Sequence, residues 1–376
     1  MTPALFEQWT SVGELWAATQ RAARGKRHRP SVARTLLERE TIVLSLQESL
    51  RSGTWQPGRA TVHEIRDPKP RTIAAAPFHD RIVHQALCAS IGPLLDRGLV
   101  SDTYACRIGL GTHAALRKAR AWANAHSWFV HLDVRKYFAS IDHEILLRQL
   151  SRHLLCPRTL GVCAAIVKSG ALTVDGPRFH FPGDDLFTPA SRAAGLPIGH
   201  LTSQHFANRY LSPVDHLAKD RLGIRAYLRY MDDLLLFDED RDRLVRHATA
   251  LEERCHRMRL RLHPWQVQPT RGGLGYLGFR IYPGHVRVKA CSVKRATGRL
   301  RLKLDAARQD RALYPAFIDS VRATFAHWAH GDTYRLRTKF LRELGLSEEQ
   351  PMIEQDSGEE STELANNSLV YERDKE

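Results

Sequence analysis

An α+β fold is predicted for this chain of 376 residues, because strand-like and helix-like patterns occupy different parts of it. Two apolar runs of strand length, residues 128–132 and 234–237, lie in its middle part. Residues 1–58 and 284–346 instead carry apolar positions at helical spacing among many basic side chains. A content of 43% hydrophobic residues is enough for a large core with roughly two or three subdomains.

The first 58 residues are predicted to be helical. Ser11 and Ser31 are candidate N-caps, and the apolar positions within residues 42–50 predict a helix that ends near Gly53. This N-terminal extension is expected to pack against the segment that follows it.

Two adjacent carboxylates, Asp232 and Asp233, stand between a strand-like alternation over residues 224–229 and the apolar run at 234–237. They are therefore predicted to lie at the tip of a β-hairpin. Taken alone, such a pair is most often a solvated turn, because Asp is common in turns.

A third carboxylate changes this interpretation. Asp133 ends the apolar strand of residues 128–132, much as Asp232 follows its own strand. Such carboxylates, together with a triphosphate, would hold two Mg²⁺ ions, with Mn²⁺ as a substitute, in the arrangement that two-metal phosphoryl transfer requires. Asp142 is interpreted as a helix N-cap instead, because an acid follows it in the predicted first turn.

Several further segments resemble the motifs of reverse transcriptases, and they follow the order of that family. Residues 69–73 (KPRTI) with 80–87 look like the segment that grips the incoming nucleotide, and residues 104–113 look like the template-side segment. Residues 195–204 (GLPIGHLTSQ) match the loop and helix beneath the nascent base pair. Residues 276–279 (YLGF) resemble the hairpin that holds the primer terminus.

The resemblance implies an RNA-directed DNA polymerase with a right-hand fold of fingers, a palm built on an antiparallel sheet, and a helical thumb. The implied parts are an N-terminal helical extension at residues 1–58, fingers and palm at 59–283 with the palm at 129–145 and 195–283, a thumb at 284–346 and an acidic, disordered tail at 347–376. Residues 175–194 are either a hairpin that carries specificity or a variable loop. Trp328 and Tyr334 are expected in the core of the thumb.

Roles for individual residues also follow from the resemblance. The implied catalytic residues are Asp133, Asp232 and Asp233, and the implied metal site contains these three and Val134. The implied nucleotide-binding residues are Lys69, Arg71, Phe138, Ile198, Gly199 and Gln204. The implied primer-binding residues are Tyr230, Met231, Leu277 and Gly278.

Three of these positions have a direct chemical interpretation. The planar guanidinium of Arg71 can bridge phosphate oxygens. The ring of Phe138, five residues after Asp133, would clash with a 2′-hydroxyl and so select deoxynucleotides, whereas Tyr137 is interpreted as packing. Many relatives carry a lysine that protonates pyrophosphate where this chain has His263, which is interpreted as a core-edge histidine, with a role in place of that lysine as the alternative.

Within the family, the chain most resembles the reverse transcriptases of diversity-generating retroelements. The run Ile-Gly-x-x-x-Ser-Gln at residues 198–204 is typical of that group, as is the segment at 104–106 followed by Gly-Thr-His. Most relatives carry Gln at the position of Ile198, where an amide can hydrogen-bond the incoming nucleotide. An isoleucine would loosen discrimination opposite template adenine, although Ile198 could equally serve only to pack beneath the palm helix.

The charge of the chain favours a nucleic-acid partner. The formal net charge is +15, and because residues 347–376 hold ten acids and two bases, residues 1–346 carry +23. Basic clusters at residues 21–29, 257–261 and 289–303 are candidates for contact with RNA or hybrid, with solvated helix faces as the alternative. The resemblance implies a structured template RNA, an RNA–DNA hybrid, deoxynucleoside triphosphates and a small basic helical accessory protein as partners.

The six cysteines show no Cys-x-x-Cys spacing, which predicts a reducing compartment and no structural zinc. The sequence has neither a leader pattern nor an apolar run of about 18 residues, so a cytoplasmic protein without membrane contact is expected.

Three functions are compatible with these sequence features to different degrees. The first is error-prone cDNA synthesis from the template-repeat RNA of a diversity-generating retroelement. The second is reverse transcription of a noncoding RNA in an anti-phage defence system. The third is a non-catalytic RNA-binding scaffold, which is disfavoured because the three acids, Arg71 and Phe138 occur together.

Overall fold

The computed structural model describes residues 2–65, 71–170 and 179–345. Lys69, part of the 175–194 segment and the acidic tail lie outside these residues.

Four helices form the N-terminal extension. They are α1 (Thr2–Trp9), α2 (Val12–Ala23), α3 (Pro30–Leu37) and α4 (Arg39–Ser52). Ser11 caps α2 as predicted, because its hydroxyl accepts a hydrogen bond of 3.2 Å from the backbone N–H of Glu14. The prediction for Ser31 is wrong: Pro30 already starts α3, so Ser31 lies inside that helix. Gly53, at a φ of +76°, ends α4 as predicted.

The next segment contains a two-stranded sheet and two helices. Its elements are β1 (Thr61–Ile65), β2 (Arg71–Ala75), α5 (Phe78–Asp96) and α6 (Thr112–Ala125). The strands β1 and β2 pair antiparallel, with Ile65 opposite Arg71. Helix α2 packs along α5, and apolar residues of both helices belong to one core. The N-terminal extension therefore packs on α5, as predicted.

A four-stranded antiparallel sheet occupies the centre of the fold. Its strands are β3 (Trp128–Asp133), β4 (Tyr227–Tyr230), β5 (Asp233–Asp238) and β6 (Gln268–Pro269), in the order β4-β5-β3-β6. One face, with Val130 and Leu234, belongs to the core shared with α5; the other, with Phe129 and Leu235, belongs to a second core. Successive side chains point to opposite faces of a strand. Since each face of the sheet is covered by one of the two cores, both sets of alternate positions on the central strands are buried.

Helices of different lengths lie around this sheet. They are α7 (Tyr137–Ser140), α8 (His143–Ser151), α9 (Pro157–Gly170), α10 (Thr188–Ser191), α11 (Leu201–Tyr210), α12 (Ser212–His216) and α13 (Arg241–Arg257). Asp142 caps α8, as predicted, by accepting a hydrogen bond of 3.0 Å from the N–H of Ile145. Its second oxygen pairs with Arg259 at 2.7 Å, so this carboxylate is used structurally.

The C-terminal part combines a small sheet with three helices. The elements are β7 (Leu274–Tyr276), β8 (Phe279–Tyr282), β9 (His285–Val288), α14 (Ala290–Gln309), α15 (Tyr314–Trp328) and α16 (Tyr334–Glu343). The predicted boundary at 283/284 falls between β8 and β9, which pair with each other. Trp328 is 1% exposed, as predicted, but Tyr334 is 72% exposed because α16 turns Phe340 and Leu344 to the core and Tyr334 to another face.

Among the described residues, no helix combines the length and the apolar character needed to cross a membrane.

Candidate active site

Strand pairing brings the three predicted acids to one end of the central sheet. Tyr230 and Asp233 form the last pair of β4 and β5, which leaves only Met231 and Asp232 in the hairpin loop. Asp133 lies directly opposite Asp233 in the pairing of β3 with β5. The predicted hairpin tip and the strand-end acid of β3 are therefore neighbours, as cross-strand partners must be.

The loop itself has an uncommon conformation. Met231 adopts a φ of +55°, a left-handed conformation that costs a residue with a side chain about 1–2 kcal/mol. The N–H of Val134 donates a hydrogen bond of 3.4 Å to the carbonyl of Asp232, which connects the loop to the end of β3. The Val134 side chain is buried and apolar, so its main chain is the part that contacts the loop.

Asp232 lies in a strongly negative environment. Burial, together with the negative charges of Asp233 and Asp133, raises the pKa of its carboxyl to about 7, although the positive charge of Arg71 acts to lower it. The three acids therefore generate a field that favours a cation. Hard carboxylate oxygens in such a field are the donors that Mg²⁺ prefers.

Asp233 is held by a neighbour whose role was not evident from the sequence pattern. Its Oδ1 lies 2.7 Å from Nε2 of His131, two residues before Asp133 on β3. The His131 ring packs edge-on against Tyr276, with centroids 6.2 Å apart. Among the described residues, no three His, Cys, Asp or Glu side chains form a ready-made metal cage. Mg²⁺ sites commonly use only one or two protein carboxylates, with water and substrate phosphates as the other ligands.

The loop at residues 195–200 docks on β2, the strand that begins with Arg71. The N–H of Ala74 donates a hydrogen bond of 2.8 Å to the carbonyl of Ile198. Gly199 follows at a φ of +114°, and a Cβ there would lie 2.8 Å from the carbonyl oxygen of Ala74. A side chain at this position is thus excluded by the backbone conformation and by the close approach of β2.

Ile198 and Gln204 are both half-buried at this loop and the helix that follows it. Within the described part of the chain, the Gln204 side chain makes no hydrogen bond. Both interpretations of Ile198, packing and nucleotide contact, remain compatible with this partial exposure.

Two neighbouring aromatic residues follow Asp133 and differ in their exposure. Tyr137 is buried, and its hydroxyl donates to the carbonyl of Ala207. Phe138 is only partly buried, and its carbonyl accepts a hydrogen bond of 2.8 Å from the N–H of Leu196. Phe138 is therefore the more accessible ring of the two.

The hairpin of β7 and β8 is closed by Leu277 and Gly278, with φ values of +44° and +87°. Two consecutive left-handed residues are typical of a type I′ hairpin turn. The carbonyl of Gly278 accepts a hydrogen bond of 3.0 Å from the N–H of Lys289. Through Tyr276 on β7, this hairpin contacts His131 and hence the Asp233 side of the site.

The interpretation of His263 as a core-edge residue is wrong. Its side chain is exposed, whereas the preceding Leu262 is buried, because the two residues alternate across an extended segment. Its N–H donates a hydrogen bond of 2.8 Å to the carbonyl of Asp133, so it lies beside the acidic cluster.

Arg229 is a further residue at the site whose position the sequence pattern did not predict. The alternation over residues 224–229 assigned it to a polar face, but the structure places it at 0% exposure behind the hairpin loop, paired with Asp215. No local signal connects these two positions, because the helices that bury them come from elsewhere in the chain.

Comparison with known proteins gives a consistent result. A family model described as reverse transcriptase (RNA-dependent DNA polymerase) matches residues 65–281. A COX1/OXI3 intron 1 protein of Saccharomyces cerevisiae is 21% identical over 164 residues, which are 43% of this chain and 18% of that protein. Protein YkfC of Escherichia coli is 22% identical over 281 residues, which are 63% of this chain and 70% of that protein.

Two solved structures are also similar. The apo telomerase of Candida tropicalis truncated from its C-terminal domain has a TM-score of 0.46 at 10% identity, covering 64% of this chain and 58% of that one. The telomerase of Candida albicans in complex with a TWJ fragment of telomeric RNA has a TM-score of 0.45 at 12% identity, covering 77% and 58%. The chain thus spans less than a fifth of the yeast intron protein and little more than half of each telomerase chain.

Proposed function

The chain belongs to the reverse transcriptase family of RNA-dependent DNA polymerases, and we propose that it synthesises error-prone cDNA from the template-repeat RNA of a diversity-generating retroelement. The observation that carries the catalytic part is the meeting of Asp133, Asp232 and Asp233 at one end of the central sheet. The retroelement assignment depends on the Ile-Gly-x-x-x-Ser-Gln run at residues 198–204.

In this proposal, Asp133 and Asp232 hold the divalent ions, with Asp233 and Val134 beside them. Bound Mg²⁺, or Mn²⁺ in its place, supplies charge neutralisation for the triphosphate and activation of the primer 3′-hydroxyl. The acids themselves contribute a fixed negative site, in which burial first and then the charges of Asp233 and Asp133 raise the pKa of Asp232. His131 fixes one oxygen of Asp233 and thus limits its rotation.

The incoming deoxynucleotide would lie between the acids and β2. Arg71 is near enough to lower the pKa of Asp232, so its guanidinium can reach phosphates that lie over the acids. Lys69, the second proposed phosphate contact, lies outside the described residues. Phe138 would supply the ring that excludes a 2′-hydroxyl. The loop of Ile198 and Gly199, which docks on β2, and Gln204 on the following helix would lie beneath the nascent base pair.

The primer and template would occupy the remaining faces of the site. Tyr230 and Met231 adjoin Asp232, and Leu277 and Gly278 form the second hairpin turn, so these four residues are proposed to position the primer terminus. A structured template RNA, the RNA–DNA hybrid and a small basic accessory protein complete the proposed partners, which is consistent with the excess of basic residues.

Primer extension tests the catalytic part of the proposal. Asp133→Asn and Asp232→Asn are each expected to abolish synthesis on cognate RNA with Mg²⁺, while RNA binding stays close to the wild-type value. Asp319→Asn, at an exposed acid of α15, is the matched control and is expected to keep full activity. Loss of RNA binding in both active-site variants would sink the metal-ligand assignment, as would synthesis that survives them. No incorporation by the wild-type protein, with no difference in Asp232→Asn, would favour the scaffold function.

The error spectrum tests the retroelement part. An apolar Ile198 offers no hydrogen bond to the base pair, so Ile198→Gln is expected to lower misincorporation opposite adenine, whereas Ile198→Val keeps the apolar surface and should not. Sequencing of cDNA made on co-purified RNA measures both the template and the errors. An unchanged spectrum in Ile198→Gln would remove this account, and a noncoding RNA without a template repeat would favour the defence function.

A further inference from the structure

A buried ion pair lies directly behind the acidic hairpin. Arg229 and Asp215 are both 0% exposed and meet through two hydrogen bonds, Nε to Oδ1 and Nη2 to Oδ2, each of 2.7 Å. Asp215 also accepts hydrogen bonds from the hydroxyls of Tyr227, at 2.6 Å, and Thr103, at 3.4 Å. Its negative charge is therefore fully compensated.

Arg229 uses all five of its N–H donors. Besides the two bonds to Asp215, Nη1 and Nη2 each donate to Asn208, at 3.0 Å to its side-chain and main-chain oxygens. The remaining Nη1 donor reaches the carbonyl oxygen of Met231 at 2.9 Å. The guanidinium thus joins α11, α12 and the hairpin loop in one fixed arrangement.

The bond to Met231 acts on the peptide unit that carries Asp232. Because a peptide bond is planar, fixing the carbonyl oxygen of Met231 also fixes the direction of the Asp232 N–H. Met231 is the residue with the left-handed φ of +55°, a conformation that persists only where its surroundings hold it. Arg229 supplies a hydrogen bond to that residue from the rigid interior.

Stability alone does not explain such a pair. Removing two charges from water costs nearly as much as their attraction returns, and well-packed apolar residues of similar size often give equal stability. Apolar residues could not, however, donate a hydrogen bond to the Met231 carbonyl.

We propose that Arg229, held by Asp215 and Asn208, is the positioning residue that keeps the Met231–Asp232 loop in its left-handed conformation and so aims the Asp232 carboxylate. This inference builds on the proposed polymerase function but concerns the geometry of the acidic site itself. Loss of a residue that orients a metal ligand typically lowers metal affinity or activity by about 10–100-fold.

The test uses Arg229→Met/Asp215→Leu, which removes both charges together and leaves neither one buried alone. We expect the variant to fold with a lowered unfolding temperature, because Tyr227, Thr103 and Asn208 lose hydrogen-bond partners. We also expect a rise of about tenfold or more in the Mn²⁺ dissociation constant, followed by electron paramagnetic resonance, and a fall of about 10–100-fold in kcat. The KM for deoxynucleotide and the affinity for template RNA should change less than about twofold, because the outer surfaces are untouched.

Two further variants separate positioning from folding. Arg229→Lys keeps the buried charge but cannot reproduce the planar five-donor geometry, so it should fold and show the same defect in Mn²⁺ binding. Arg243→Gln/Asp238→Asn removes an ion pair from the other end of β5 and should leave Mn²⁺ binding unchanged. Wild-type Mn²⁺ affinity in folded Arg229→Lys, or in the folded double variant, would overturn the proposal.

The Mn²⁺ measurement needs no DNA synthesis, so it distinguishes the two ways in which the ideas could fail. If the wild-type protein binds Mn²⁺ but makes no cDNA, the proposed function fails while the role of Arg229 is still measured. If the wild type makes cDNA and the Arg229 variants bind Mn²⁺ normally, only the positioning role fails.

Discussion

The close approach of β2 to Gly199 allows a quantitative prediction for Gly199→Ala. The added Cβ would lie 2.8 Å from the carbonyl oxygen of Ala74 and 2.9 Å from Cγ2 of Ile73. Both distances are shorter than van der Waals contact, and one of the two atoms belongs to the backbone of β2. The strand must therefore move away from the loop.

The cost has two parts. An alanine held at a φ of +114° costs about 1–3 kcal/mol of backbone strain. Moving β2 also disrupts the hydrogen bond from Ala74 to Ile198, which is worth about 1 kcal/mol. The expected loss in the free energy of unfolding, as the sum of the two parts, is thus about 2–4 kcal/mol.

A displaced β2 also carries Arg71 away from the acids, because Arg71 and Ala74 belong to the same five-residue strand. If about 1.4 kcal/mol of phosphate binding is lost, the KM for deoxynucleotide rises about tenfold. Steady-state primer extension measures this KM, and thermal unfolding measures the strain.

Gly53→Ala is the matched control, because Gly53 also has a positive φ, +76°, but no atom lies within 4 Å of a Cβ there. It should lose about 1–2 kcal/mol of stability and keep the wild-type KM. If Gly199→Ala behaves like Gly53→Ala in both measurements, the loop does not set the position of Arg71 and the reasoning is refuted.

Two further predictions concern other parts of the molecule. Phe138→Ala should raise kcat/KM for ribonucleotides relative to deoxynucleotides, with Tyr137→Phe as a control that keeps the ratio; an unchanged ratio would exclude Phe138 as the sugar gate. His84 lies in α5 beside His200, and burial lowers the pKa of His84 to about 3. Below pH 6.5, therefore, His84 binds a proton in the unfolded chain but stays neutral in the folded one. The free energy of unfolding should therefore fall as the pH drops from about 6.5 towards 3, by up to about 2 kcal/mol at pH 5. Urea unfolding at pH 7.5 and pH 5 should show a smaller loss of stability between the two pH values for His84→Gln than for the wild type. Equal losses in the two proteins would contradict this assignment.

The sequence predicted those features that depend on local patterns. The strand ending at Asp133 and the hairpin at Asp232 were predictable because alternation and turn residues are set by neighbours along the chain. The cap at Asp142 and the helix end at Gly53 follow from similarly local chemistry.

Features that depend on tertiary burial were not predictable. A strand with alternating apolar and polar residues normally has one solvent-exposed face, and this rule assigned Arg229 to that face. In the structure, the segment around Thr103 pairs with β4, and α11 and α12 cover Arg229. The face of β4 that carries Arg229 is therefore buried like the opposite face. The predictions for His263 and Tyr334 were wrong in the opposite sense, because residue type alone did not reveal that both side chains are exposed among the described residues.

The burial of Arg229 also resolves an electrostatic conflict at the candidate site. A cation-binding cluster needs its negative field, and an unpaired guanidinium beside Met231 would weaken that field in a region of low dielectric constant. Pairing with Asp215 cancels the net charge of Arg229 but leaves its Nη1 donor free to hold the Met231 carbonyl. Arg71, in contrast, is exposed and lowers the pKa of Asp232, so its charge acts on the site directly. The chain thus separates two tasks that one arginine could not combine: Arg229 fixes the geometry of the loop without opposing metal binding, and Arg71 provides positive charge where a triphosphate would enter.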